Sequence, residues 1–140
     1  MKPHEKDSGR LPLSQKISLK NVFVISEGDL NFEYEVLIEF HLMLKETLKH
    51  LNEAIQLKRP EKVLDTINRI YSTLSLFECD AKNVAESLRH DLEKGGKINK
   101  ELFEKSRELL VLLVDTTEDV GRVLMLYDHY QNQHENGKML

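Results

Sequence analysis

Eight apolar residues, Val63, Ile67, Ile70, Leu74, Phe77, Ala81, Val84 and Leu88, follow one another at a mean spacing close to 3.5. This unbroken stripe limits the fold more than any other feature of the chain. It puts all eight on one narrow face of a helix, and such a seam packs against helices running nearly parallel or antiparallel to it. The three prolines all precede residue 61, so nothing from Glu61 onward forbids long helices. With 140 residues, 40% of them apolar, the chain can bury one core without disulfide or metal staples. The expected class is all-α.

The pattern predicts three helices. The first starts near Asp29, whose carboxylate can cap the amides that follow, and carries Leu30, Tyr34, Leu37, Leu44, Leu48, Leu51 and Ile55. Pro60 ends it and suits the first turn of the next helix. The second carries the eight-residue stripe and stops at Gly95-Gly96. The third runs from about Asn99 to about Gln131 and is apolar on every side over Leu109 to Val114. A helix that is apolar all round is covered by more than one neighbour, so a homodimer is expected. The expected fold is an elongated antiparallel three-helix bundle over residues 29–132, with a polar tail over 133–140. Residues 1–28 are expected to form an irregular N-terminal arm, in which NVFVIS (21–26) leans toward β structure.

Composition excludes several classes. A net charge of −4 gives no electrostatic case for nucleic acid. The most apolar run has six residues, far short of the roughly 20 that span a bilayer, so the chain is expected not to cross a membrane. The one cysteine, Cys79, forms no internal disulfide and fits a reducing, cytoplasmic setting. Phosphate-loop, HExxH, GxSxG and CxxC motifs are absent, so an enzyme is not expected.

Three acids interrupt the third helix in LLVLLVDTTEDVGRVLMLY. Asp115 and Asp119 are four apart, on one face and within the apolar row Leu112, Val123, Leu126. Like charges at that spacing oppose each other, and partial burial adds cost unless a cation or a proton compensates. Either an ion-paired face, with Arg122 or a lysine as partner, or a hard cation on carboxylate oxygens answers the need. Glu78 lies about 18 residues before the Gly95-Gly96 turn and Asp115 about 19 after it, so two antiparallel helices would bring them to one level. The candidate metal ligands are Glu78, Asp115 and Asp119, with Asp80 and Glu118 beside them. Glu78 and Lys82 have the spacing of a helix ion pair.

The histidines build no catalytic constellation. His41 falls on the buried stripe of the first helix, where a hydrogen-bonded core histidine is the commoner reading. Glu46/His50 and Glu86/His90 are four apart, a spacing that can bind a metal but is more often an ion-paired surface. Histidine phosphotransfer, which helical bundles perform with one exposed histidine, has His90 as its candidate, with Arg89 and Lys94 nearby.

From Leu44 to Leu126 the pattern resembles one repeat of the PhoU-like superfamily, most of all the PhoU-like proteins that accompany inorganic-phosphate permeases. The resemblance rests on LNEAIQLKRPEKVLDTI, on the acidic-x-x-Ala-acidic stretch Glu78-Cys79-Asp80-Ala81-Lys82, on AESLRHDLEKGGKI, and on Asp115-Thr116-Thr117-Glu118-Asp119. It implies a regulatory or accessory protein linked to phosphate transport, with a divalent metal or iron on the paired acidic motifs and a phosphate permease as partner. Lys82 stands where the first motif has its second acid. A homodimer would supply the second repeat that such proteins commonly carry. The competing class is a helical adaptor or chaperone-like partner binder without metal, using the apolar excess of the third helix.

Overall fold

A computed structural model describes the backbone of residues 17–95 and 97–139, and the side chains of these up to residue 129. Five helices follow in order: α1 (Lys20–Ser26), α2 (Leu30–Gln56), α3 (Pro60–Leu76), α4 (Ala81–Glu93) and α5 (Lys100–Met139). There is no strand among the described residues. Helix α2 packs against α3 and α5, and α4 packs against the same two, so α2 to α5 close an antiparallel ring of four. The all-α antiparallel bundle expected from the stripe is what forms, built from more helices than the periodicity counts.

The difference lies in the second expected helix, which is two. It breaks at Phe77–Asp80 without proline or glycine. Glu78 takes a left-handed φ of 49°, and the Cys79 amide donates back to the Leu74 carbonyl at 3.0 Å. That bond closes the end of α3, as a left-handed residue commonly does. Phe77, Cys79 and Ala81 all stay buried through the turn. The turn takes up as many residues as a helical step would, so the stripe crosses it in register and hides it. The two shorter helices pack back on each other, and α3 is only about 26 Å long.

Other boundaries follow the local signals. Asp29 Oδ1 accepts from the Phe32 amide at 3.1 Å, and Asn99 Oδ1 accepts from Leu102 at 2.9 Å. Pro60 occupies the first turn of α3. Gly95 has a φ of 79°, as the end of α4 requires; Gly96 lies outside the described residues. Lys105 Nζ donates to Asp91 at 2.5 Å and to Ser87 at 3.1 Å, tying α5 to α4 and holding the Asp91 carboxyl below its usual range.

The NVFVIS stretch is helical rather than β-leaning. Leu19, Val22 and Ser26 bury one side of α1, a spacing that a helix satisfies and a lone strand would not. Asn21 Nδ2 donates to the Leu76 carbonyl at 2.9 Å, and the Ser18 amide donates to that of Phe77 at 2.7 Å. These bonds lay α1 across the end of the bundle where α2 begins and α3 stops. At the same end the fully buried Glu33 carboxyl accepts from Ser26 Oγ and, at 2.9 Å, from the Tyr127 hydroxyl. One carboxyl thus joins α1, α2 and α5. Beneath it the Phe40 and Phe77 rings stack with centroids 4.0 Å apart. The remainder of the arm, residues 1–16, lies outside the described residues.

Candidate functional site

The acids singled out from the sequence are dispersed. Glu78 is exposed in the α3–α4 turn, and Asp80 is exposed at the start of α4, where its side chain caps nothing. Glu118 is exposed on α5. Asp119 is 7% exposed and ion-paired with Arg122, one turn further on. Asp115 sits half-buried one turn before Asp119 on α5, beside Arg107 and Val111. Among the described residues no group of three or more histidine, cysteine, aspartate or glutamate side chains could hold a metal ion. Glu78, Asp115 and Asp119 therefore do not meet as a ligand set. The physical reason is the break at Glu78, which takes the first acidic motif off a helix face. The cation beside Asp119 is the arginine, and the expected Glu78–Lys82 helix pair is lost with the helix.

Cys79 is buried, and burial, with the nearby Asp80 charge, pushes its thiol up to about 12. It packs; it is not a ready nucleophile.

Four histidines have described side chains. His41 is half-buried between α2 and α5, and a Cβ on Gly121 would stand 3.3 Å from its Nε2. Burial and then Lys45 hold its pKa below the ordinary value, against a hydrogen bond to the Thr117 backbone. It is a packing histidine, as its place on the stripe suggested. His90 and His129 are exposed on α4 and α5, and Glu86 bonds the Tyr71 hydroxyl at 3.0 Å.

His50 is different. It lies on α2 beside α3, its side chain 49% exposed, with Nε2 3.5 Å from Glu46 Oε1. Helices α2 and α3 leave a groove of three adjoining hollows between them. The first, of about 490 Å³, is floored by Val36, Phe40, Met43 and Phe77 and edged by Glu35 and Glu39. Met43 joins it to a small central hollow containing His50, Thr66 and Arg69. Those three open into the last, of about 370 Å³, which adds Arg59, Lys62, Glu53 and Asp65. Among the described residues Arg59, Lys62 and Arg69 make no ion pair. One end of the groove is thus apolar and acidic, and the other holds a histidine with three cations that form no ion pair among the described residues, alongside Glu53 and Asp65. The sequence showed the Glu46/His50 spacing but not which helix His50 faces. The Lys62/Arg69 spacing of two helical turns was the available signal, and only the packing of α3 on α2 gives it meaning.

A ring of four antiparallel helices defines the general class: an all-α antiparallel helical bundle. Among solved structures the chain is similar to the HPT domain of the Hpt sensor hybrid histidine kinase from Shewanella. The TM-score is 0.67 at 17% identity, over 78% of this chain and 93% of that one. At that identity the likeness shows the fold. No family model and no curated protein matches the chain. The PhoU-like resemblance, and with it the link to phosphate transport and a metal-binding regulator, is overturned by this neighbour and by the dispersal of the acids. No helix among the described residues is long and apolar enough to cross a membrane.

Proposed function

We propose that the chain is a phosphoryl-accepting bundle of the histidine-phosphotransfer kind, with His50 as the acceptor. One observation carries this reading: an exposed imidazole shares a groove with Arg59, Lys62 and Arg69, none of them ion-paired among the described residues. The likeness to the HPT domain supports it through the fold. In the step envisaged, a lone pair on a neutral imidazole nitrogen attacks the phosphorus of a partner's acyl phosphate. The N–P bond forms as the P–O bond breaks, and the carboxylate leaves with the electron pair. Glu46 faces Nε2, so it can hold a proton there and offset the positive charge that the ring gains, which leaves Nδ1 as the free nitrogen. Arg69 and Lys62 attract the phosphoryl oxygens, as guanidinium and ammonium groups do. On this reading the protein carries a phosphoryl group stoichiometrically and does not turn substrate over. The apolar end of the groove, where Phe32 and Met43 are each 38% exposed, receives the partner.

The test is labelling with phosphoramidate, followed by phosphate-affinity gels and ³¹P NMR. An acid-labile, base-stable adduct is expected in the wild type, in His41→Gln and in His90→Gln, and not in His50→Gln. Arg69→Ala should slow its formation. Absence of an adduct in the wild type, or an adduct that survives in His50→Gln, sinks the proposal.

A further inference from the structure

The α2/α3 groove leaves the neighbouring α2/α5 face unexplained, with Glu53 on the edge between the two. There Val111 is 56% exposed and Val114 43% exposed, in the first half of α5. They border a hollow of about 670 Å³ between α2 and α5, whose apolar lining is completed by Leu48 and Leu110. Arg107, Lys49, Glu53 and Asp115 rim it, two charges of each sign, and none is ion-paired among the described residues. A face meant for a strongly basic or acidic partner would show one sign. Equal numbers of both, set around an apolar centre, fit a surface that meets itself.

The sequence on α5 has the required symmetry. Arg107 lies four residues before Val111 and Asp115 four after it (111 − 107 = 115 − 111 = 4). In a two-fold contact, residue i meets j and j meets i. We propose that this face is the contact of a homodimer in which two copies of α5 cross antiparallel about a two-fold axis at Val111. Each Arg107 then faces the partner's Asp115, Val111 meets its own copy, and Val114 helps to fill the hollow against the partner's α5. The contact centres on α5 and shares only the rim residue Glu53 with the α2/α3 groove, so its test is read separately from that of the phosphoryl-acceptor reading.

Sedimentation equilibrium of the full chain over a range of concentrations tests this, with circular dichroism to show that each variant is folded. The wild type should associate to a dimer. Val111→Glu, which sets two carboxylates against each other at the axis, should raise the dissociation constant at least about tenfold. Arg107→Glu and Asp115→Arg should each raise it by a similar factor. The double variant Arg107→Glu/Asp115→Arg reverses both charges and should return it to within about threefold of wild type. A wild type that stays monomeric at every concentration overturns the proposal. So does a dimer indifferent to Val111→Glu, or a double variant no better than the singles.

Discussion

Replacing Gly121 by alanine sets two effects of similar size against each other. Gly121 lies inside α5, where exchanging glycine for alanine gains about 0.8–1.0 kcal/mol of helix propensity. The new Cβ, however, would stand 3.3 Å from His41 Nε2 and 3.8 Å from Cε1. The first distance is a few tenths of an ångström inside comfortable contact. The Gly121 backbone cannot move without bending α5, so the imidazole must give way. Moving it off its rotamer costs about 0.5–1.5 kcal/mol, and loosening its bond to the Thr117 backbone costs about as much. The sum runs from near zero to roughly 2 kcal/mol of net destabilisation. With His41 already replaced by alanine, the same change should stabilise by nearly the full propensity gain. Urea denaturation of wild type, Gly121→Ala, His41→Ala and the double variant should therefore give a coupling energy of about 1–3 kcal/mol. The same displacement alters the pH dependence. In the folded wild type the His41 pKa lies below its ordinary 6.5, chiefly through burial. Between the two values the unfolded chain binds a proton that the folded chain does not, so stability rises with pH there. This contribution is complete above about 6.5 and is lost as pH falls through the folded value. In Gly121→Ala the expelled ring should titrate closer to 6.5, and the acid-side loss should shrink. Additivity within about 0.3 kcal/mol together with an unmoved His41 titration would refute the argument.

Tyr127→Phe removes the hydroxyl that donates to the fully buried Glu33 carboxyl, and should cost about 1–3 kcal/mol in thermal or urea unfolding. A loss below about 0.5 kcal/mol would mean that this bond does not hold α5 to the α1–α2 end. Cys79, with its thiol pushed up to about 12 by burial, should resist a disulfide reagent at pH 8 in the native protein and react once the chain is unfolded. Rapid native reaction would show that the α3–α4 turn opens.

How far the sequence can be read is best judged at the 77–80 turn. The stripe from Val63 to Leu88 shows correctly which residues face the core; Val63, Ile67, Ile70, Leu74, Phe77, Ala81 and Leu88 are all buried. It conceals the reversal between Leu76 and Ala81, because periodicity records which side a residue faces and not whether the axis continues. A meeting of Glu78 with Asp115 and Asp119 requires a continuous axis, which the turn removes. The role proposed for His50 was not legible for a related reason. It rests on Arg59, Lys62 and Arg69 across the groove, and no local pattern says that α3 folds back beside α2.

The sequence by itself determined what is local: helical class, caps at Asp29 and Asn99, the proline start of α3, the buried stripe and the excess apolar surface of α5. Hydrogen-bond capping and side-chain periodicity act within a few residues, so they can be read from a string. Tertiary structure alone decided the closing of four helices into a ring and the burial of Glu33 between Ser26 and Tyr127. It also decided that His50 shares a groove with Arg59, Lys62 and Arg69. Those outcomes depend on which helix faces meet, and that is set by competition among packings of the whole chain.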